Sequence, residues 1–455
     1  MHSDTATIKK TVAAEIDRHA DALIGVARDI LAHPEPGFRE VRTAKLTADW
    51  LRRLGLAPRE GIGITGVKAV AKGGGDGPTV AVMGELDSMI VLGHTHADPV
   101  TNAAHACGHH VQIAMMLGVA AGLRAAGVLE KLSGKVAFMA VPAEEFIEIE
   151  YRDELRREGK LEFLGGKAEF IRLGHLDDVD MAMMTHAIGP VRDSLGTGVT
   201  DAGKPAMLAV GGTNNGMIAK KIQFTGRAAH AGGAPHKGVN ALNAAMLAIA
   251  AIHAQRETFR DEDTIRVHPI ITRGGAAVSS VPADVRMETF VRGRTVEAFM
   301  SANEKVDRAL RAGALAVGAS VTITNLPGYL PIANDPAFTD VYRANAAALV
   351  GEDRVATLGH RTGSTDMGDV SHLMPVIHPY AACATGVPHG ADFVVQDYTL
   401  GVVTGAKAMA LTVVDLLADG ANLARRITSA YKPPMDKAEY LAFLRALMKE
   451  ETYTE

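Results

Sequence analysis

The sequence predicts an α/β protein: a mainly parallel sheet flanked by helices, with a smaller ferredoxin-like α+β unit inserted into it. Three observations carry that expectation. Near-continuous apolar runs alternate with helical patterns over the first 200 residues. Near Thr213 the rhythm changes to half-exposed strands. After residue 328 the first rhythm returns. Strands buried on both faces read as unbroken apolar runs, which is the mark of a parallel sheet covered by helices.

Taken in order, "TAKLTADWLRRLG" (43–55) has helical spacing and a glycine stop. "PTVAVMGEL" (78–86) reads as a buried strand, "VQIAMMLGVAAGLRAAG" (111–127) as a long apolar helix, and "GKVAFMAVPAEE" (134–145) and "VDMAMMTHA" (179–187) as further buried strands. In the insertion, "AKKIQFTGRA" (219–228) is a strand and 238–259 a helix. "TIRVHPIITRG" (264–274) and "ADVRMETFVRG" (283–293) are strands, 295–317 is a helix, and "SVTITNLPG" (320–328) closes the set. That order, β-α-β-β-α-β, is the split ferredoxin-like unit. Residues 1–212 and 329–455 are therefore expected to form the main domain and 213–328 the inserted one.

A chain of 455 residues with 47% hydrophobic and 22% charged residues is globular and long enough for two cores. The net charge of −5 marks no nucleic-acid or anionic-membrane partner. The N-terminal twenty residues lack a signal peptide's apolar core. The apolar stretch 241–254 is too short to span a bilayer. A cytoplasmic protein is expected. Cys107 and Cys383, the two cysteines, are poor evidence for an oxidising compartment.

In a parallel sheet, ligands collect beyond the carboxyl ends of the strands. The strand at 134–142 runs into Glu144-Glu145, that at 179–185 into His186, and "HACGHH" (105–110) opens the long helix. Thiol, imidazole and carboxylate groups from separate segments thus point to one rim, a donor set that suits zinc, manganese or cobalt. A lone histidine or a lone Glu-Glu would read as solvated surface; their convergence favours ligation. Adjacent glutamates diverge, so one can bind metal while the other faces a bound water as general base. The segment 359–392 is rich in Gly, Ser, Asp and His and reads as a loop. His360, His372, His378 and His389 are all candidates there, and spacing does not choose among them.

These motifs resemble the metal-dependent peptidases and amidohydrolases that include aminoacylase, carboxypeptidase G and hippurate hydrolase. The matching stretches run nearly the whole length: "HPEPGFRE" (33–40), "GELDSM" (84–89), "HACGHH", "PAEE" (142–145), "THA" (185–187), "TGRAAHAGGAPHKGVNAL" (225–242), "VRGRT" (291–295) and "GSTDMGDVS" (363–371). The last of these, with "GGKAEFIRLGHLDDVD", looks most like the branch of aminobenzoyl-glutamate hydrolase.

The resemblance implies a catalytic domain, an inserted domain that makes a homodimer, and two divalent ions per subunit. Cys107, His109, Glu145, His186 and His389 would be ligands, Asp87 their support and Glu144 the general base. His230 would reach the scissile carbonyl of a partner subunit, and Asn240 and Arg292 would hold the substrate's carboxylate.

The implied activity is hydrolysis of the amide bond of an N-acyl amino acid or a related small conjugate. A dipeptide substrate is the alternative within that chemistry. From other classes come a Cys107 nucleophile activated by His105 or His109, and a non-catalytic metal-binding subunit. The charged stretch 146–164 is expected as a helix at the rim of the site, a solvated face or one that narrows substrate choice.

Overall fold

A computed structural model describes residues 2–189 and 203–454; residues 190–202, within the range expected for the main domain, lie outside the described residues. The central sheet has six strands, in the order Arg59–Ile62, Gly66–Lys72, Ser133–Val141, Gly75–Glu85, Met181–Met183 and Val376–Ile377. The last four run parallel. The first two form an antiparallel hairpin on the edge, which makes the sheet mixed. That hairpin escapes sequence reading because it mixes charged and apolar residues without the unbroken run of the central strands.

Gly75–Glu85 is buried continuously from Pro78 onward. Across its face lies His109–Leu123, in which all fifteen residues are buried. A helix apolar on every side belongs in a core. Helices His2–Arg18, Ala20–Leu31 and Gly405–Leu417 pack around it. The stretch Thr399–Leu417 is long and apolar enough to cross a membrane by composition, but 83% of it is buried inside the fold, where the core uses that apolarity. The run 179–187, expected as one strand, is two: Met181–Met183 in the main sheet, and His186–Ala187 in a separate four-stranded sheet.

The inserted unit follows the expected order. Its sheet places Arg266–Val267 and Ile270–Arg273 beside Asp284–Gly293, then Gly216–Thr225, then Ser320–Pro327, all antiparallel. Burial alternates residue by residue along Asp284–Gly293, the pattern of a sheet with one covered face. Helices Ala241–Ala254 and Val296–Leu315 supply the cover. The chain's final strand, Lys449–Tyr453, falls in the range expected for the main domain. It pairs instead with Ser320–Pro327 and extends the inserted unit's sheet.

Candidate active site

Most donors are delivered by the ends of core elements, while His389 comes from the exposed turn between strands Ala384–Thr385 and Val394–Val395. Glu85 ends its strand, Glu144 and Glu145 follow Ser133–Val141, and His109 opens the buried helix after Gly108, whose φ is +85°. At Gly108 a Cβ would press against Ala187, so glycine is required there. These groups meet with His186 and His389. Three sets of donor atoms lie within 4.8 Å of one another: Cys107, His109 and His186; Cys107, Glu145 and His389; and Glu85, His109 and Glu144. Cys107, Glu144, Glu145, His186 and His389 line one cavity of about 300 Å³.

The histidines are oriented by their other nitrogens. His109 donates Nδ1–H to the Asp87 carbonyl oxygen at 2.8 Å, and His186 donates Nδ1–H to the Ala187 carbonyl oxygen at 2.5 Å. Both therefore turn Nε2 toward the cluster, the arrangement of a metal-ligating imidazole. His186 Nε2 lies 3.4 Å from Cys107 Sγ, and His389 Nε2 lies 3.5 Å from Glu145 Oε1. The Asp87 carboxylate accepts the Glu145 backbone N–H at 2.8 Å and thus ties two donor loops together.

The cluster suits a cation. Glu85 Oε2, His109 Nε2 and Glu145 Oε1 are buried without a formed hydrogen bond, although Glu85 Oε2 and His109 Nε2 lie 3.1 Å apart. Burial, then Glu85 and Glu145, push the Glu144 carboxyl well above its usual range. Burial and Glu145 likewise push the Cys107 thiol up. A carboxylate and a thiol crowded out of water in this way call for a positive charge beside them. For Cys107 as a metal-free nucleophile the direction is unfavourable, because a nucleophilic thiol needs a lowered pKa.

Two layers behind the donors were not legible in the sequence. Lys167 is fully buried; its Nζ donates to Glu85 Oε1 at 2.7 Å and also to Asp366. Arg152, also fully buried, donates to the carbonyl oxygens of Ala143 (3.1 Å), Leu164 (2.9 Å) and Glu145. It comes from helix Ile149–Arg157, inside the charged stretch expected at the rim. That helix is neither a solvated face nor merely a rim, since its arginine holds the Glu144-Glu145 turn from behind. Tyr329 donates its hydroxyl to the Glu144 carbonyl oxygen.

The "HPEPGFRE" motif gains its reason here. A Cβ on Gly37 would strike the Arg152 guanidinium and Ala143. Glu35 accepts the Arg42 and Thr43 backbone N–H groups, both at 2.9 Å, at the start of helix Val41–Arg53. Glu40 accepts the Ala143 N–H at 2.8 Å.

Of the four histidines in 359–392, only His389 joins the donor sets. His378 lines the cavity wall. His360 bonds Thr213 at the junction with the inserted unit, and His372 bonds the Gly368 carbonyl oxygen. The stretch expected to be a loop includes helix Met367–Ser371, all buried. Within "HACGHH", His105 and His110 turn away from the cluster, their ring centroids 5.3 Å apart.

His230 and Asn240 are not among the residues lining the cavity of their own protomer. His230 is exposed, with Nδ1 accepting the Gly232 and Gly233 N–H groups at 3.2 and 2.9 Å, so its free Nε2 carries the proton. Asn240 spends its side-chain oxygen capping helix Ala241–Ala254. Arg292 does not line the cavity either; its guanidinium is 5.2 Å from the Phe290 ring and within the field of Glu145 and Glu144.

Comparison with known proteins agrees with this architecture. Residues 213–317 match the peptidase dimerisation domain. The chain is 28% identical over 437 residues to a mouse protein named Xaa-Arg dipeptidase, covering 90% of this chain and 89% of the relative. It is 27% identical over 489 residues to one of the subunits of p-aminobenzoyl-glutamate hydrolase from Escherichia coli K12, covering 90% and 92%. A solved structure of a dinuclear metal-binding peptidase of the M20 family from Bacillus subtilis superposes with a TM-score of 0.61. That pair is 22% identical over 88% of this chain and 99% of the other. The fold is that of the M20 peptidase structure, and the dimerisation-domain match falls on the inserted unit. The inserted unit is similar to a peptidase dimerisation domain, and proteins named as a dipeptidase and as a subunit of aminobenzoyl-glutamate hydrolase are similar to the chain over most of its length.

Proposed function

We propose that this protein hydrolyses the amide bond of an N-acyl amino acid or a related small conjugate of the aminobenzoyl-glutamate type, using water and divalent metal. The observation that supports this most is Glu144, which lines the cavity with Cys107, Glu145, His186 and His389 and lies within 4.8 Å of His109, yet can stay free when those five hold one or two ions of zinc, manganese or cobalt. An ion bound there would lower the pKa of water toward about 7 and would polarise the carbonyl. Glu144 takes the water's proton as the carbonyl carbon is attacked and returns it to the departing amine. His230 of a second copy presents Nε2–H to the developing oxyanion, and Asn240 and Arg292 hold the substrate's carboxylate.

The test is chelation and Glu144→Gln on the purified enzyme. Activity on N-acyl amino acids should vanish with chelator and return with added ion. Glu144→Gln should bind metal normally and turn over about 100-fold more slowly or worse. Near-normal turnover by that variant would discard the assignment. A dipeptidase is the second reading, favoured by the mouse relative's name; the same assay run on dipeptides separates the two.

A further inference from the structure

We propose that the cavity contains an anion subsite centred on Arg361, so that the substrate carries an acidic group besides the carboxylate assigned to Asn240 and Arg292. The inference rests on the amide-hydrolase reading and names its substrate class.

Arg361 is only 3% exposed, yet it lines the same cavity as Glu144 and Cys107. A guanidinium stays charged at every physiological pH, and burying one without a counter-charge is costly. Among the described residues no carboxylate pairs with it. Its Nη2 donates to Asn214 Oδ1 at 2.9 Å and to the Tyr380 hydroxyl, its Cζ lies 3.8 Å from the Tyr380 ring centroid, and its Nε has no partner. These neighbours orient the fork without neutralising it.

More unused polarity lines the same wall. His378 is 2% exposed, neither ring nitrogen has a partner, and its ring lies 4.9 Å from that of Tyr380. The Ser364 hydroxyl is likewise buried and unpaired. The Tyr380 ring lies 5.8 Å from that of His186, which places the guanidinium one aromatic ring away from the donor cluster. An oxyanion at Arg361 therefore belongs to the same small molecule whose amide faces Glu144. A carboxylate matches the planar fork. It can arrive on the acyl half or on the amine half of the amide.

The experiment compares metal-loaded wild type, Arg361→Met and Arg361→Lys on N-acetyl-alanine, N-succinyl-alanine and N-acetyl-glutamate, alongside thermal shifts with succinate and with neutral succinamide. One acidic substrate should exceed N-acetyl-alanine by about tenfold in kcat/KM, chiefly through KM, as expected of one charged hydrogen-bonded contact. That ratio should fall toward one in Arg361→Met and partly recover in Arg361→Lys. The succinyl and glutamyl arms tell which half bears the acid. Equal rates on acidic and neutral amides, or a preference that Arg361→Met leaves untouched, would overturn the subsite while leaving the hydrolase reading intact. Were no amide cleaved, an Arg361-dependent succinate shift would sustain the subsite alone, and its absence would refute it. If Arg361→Met does not fold, succinate against succinamide on the wild type decides the matter.

Discussion

The Arg152 guanidinium donates to the Ala143 carbonyl oxygen at 3.1 Å, and so grips the residue that turns the chain into Glu144. Ala143 has a φ of +55°, a conformation an alanine avoids unless its surroundings impose it. Arg152 below and the Glu40 carboxyl oxygen on the Ala143 N–H supply that constraint. Arg152 is thus a positioning residue. Arg152→Met should lower kcat about 10- to 100-fold with little change in KM, since a small displacement of a catalytic group is expensive. Arg152→Lys should recover part of the loss. Steady-state kinetics with metal content measured in parallel checks this, and a variant with wild-type kcat would refute the role.

Lys167 sits between Glu85 and Asp366, with all three side chains wholly buried. Lys167→Met leaves Asp366 without its cation and Glu85 with His109 alone, at 3.1 Å. We expect a loss of about 3–5 kcal/mol, typical of breaking a buried charge cluster. Denaturant unfolding of metal-free protein measures it. The double variant Lys167→Met/Asp366→Asn should be more stable than the single one.

Glu40 provides the pH prediction. Burial, reinforced by the Asp87 charge, raises its carboxyl from 4.5 to about 8. The folded state therefore keeps a proton that the unfolded chain has lost. That stabilisation is fully present below about 4.5 and is lost as pH rises to about 8. Glu40→Gln, which is neutral throughout, should flatten the thermal midpoint over this window in metal-free protein. An unchanged pH profile would remove Glu40 as the cause.

Exchange between subunits tests His230. Glu144→Gln keeps its own His230, and His230→Ala keeps its own Glu144. If the histidine serves the partner's cavity, unfolding and refolding the two inactive variants together creates one intact site per mixed dimer. Random pairing then restores about one quarter of wild-type activity. If His230 acts within its own chain, the mixture stays inactive.

Much of this molecule is legible in one dimension because its chemistry sits where core elements end. The unbroken apolar run of 78–86 can only be a strand covered on both faces, and the residues just past the end of such a strand in a parallel sheet must lie on the ligand-binding edge. Cys107, His109, Glu145 and His186 can be named from that reasoning together with family likeness, and alternating polarity marks the inserted unit's strands. The hairpin at 59–72 and the split of 179–187 could not be read, because short strands are defined by their partners more than by their own residues.

The buried charges were hidden for a different reason. Arg152 and Lys167 look like any solvated basic residue within charged, helix-forming stretches. Whether such a side chain faces water or a carbonyl cage depends on what distant segments bring to it: Gly37, whose missing side chain makes room for one guanidinium, and Asp366, which lies 199 positions along the chain from Lys167. The same holds for Arg361 beside Asn214 and Tyr380. Local pattern reports how a segment folds and which end carries its chemistry. Burial of charge is settled by contacts between remote segments, since only there does the cost of leaving water meet the groups that offset it.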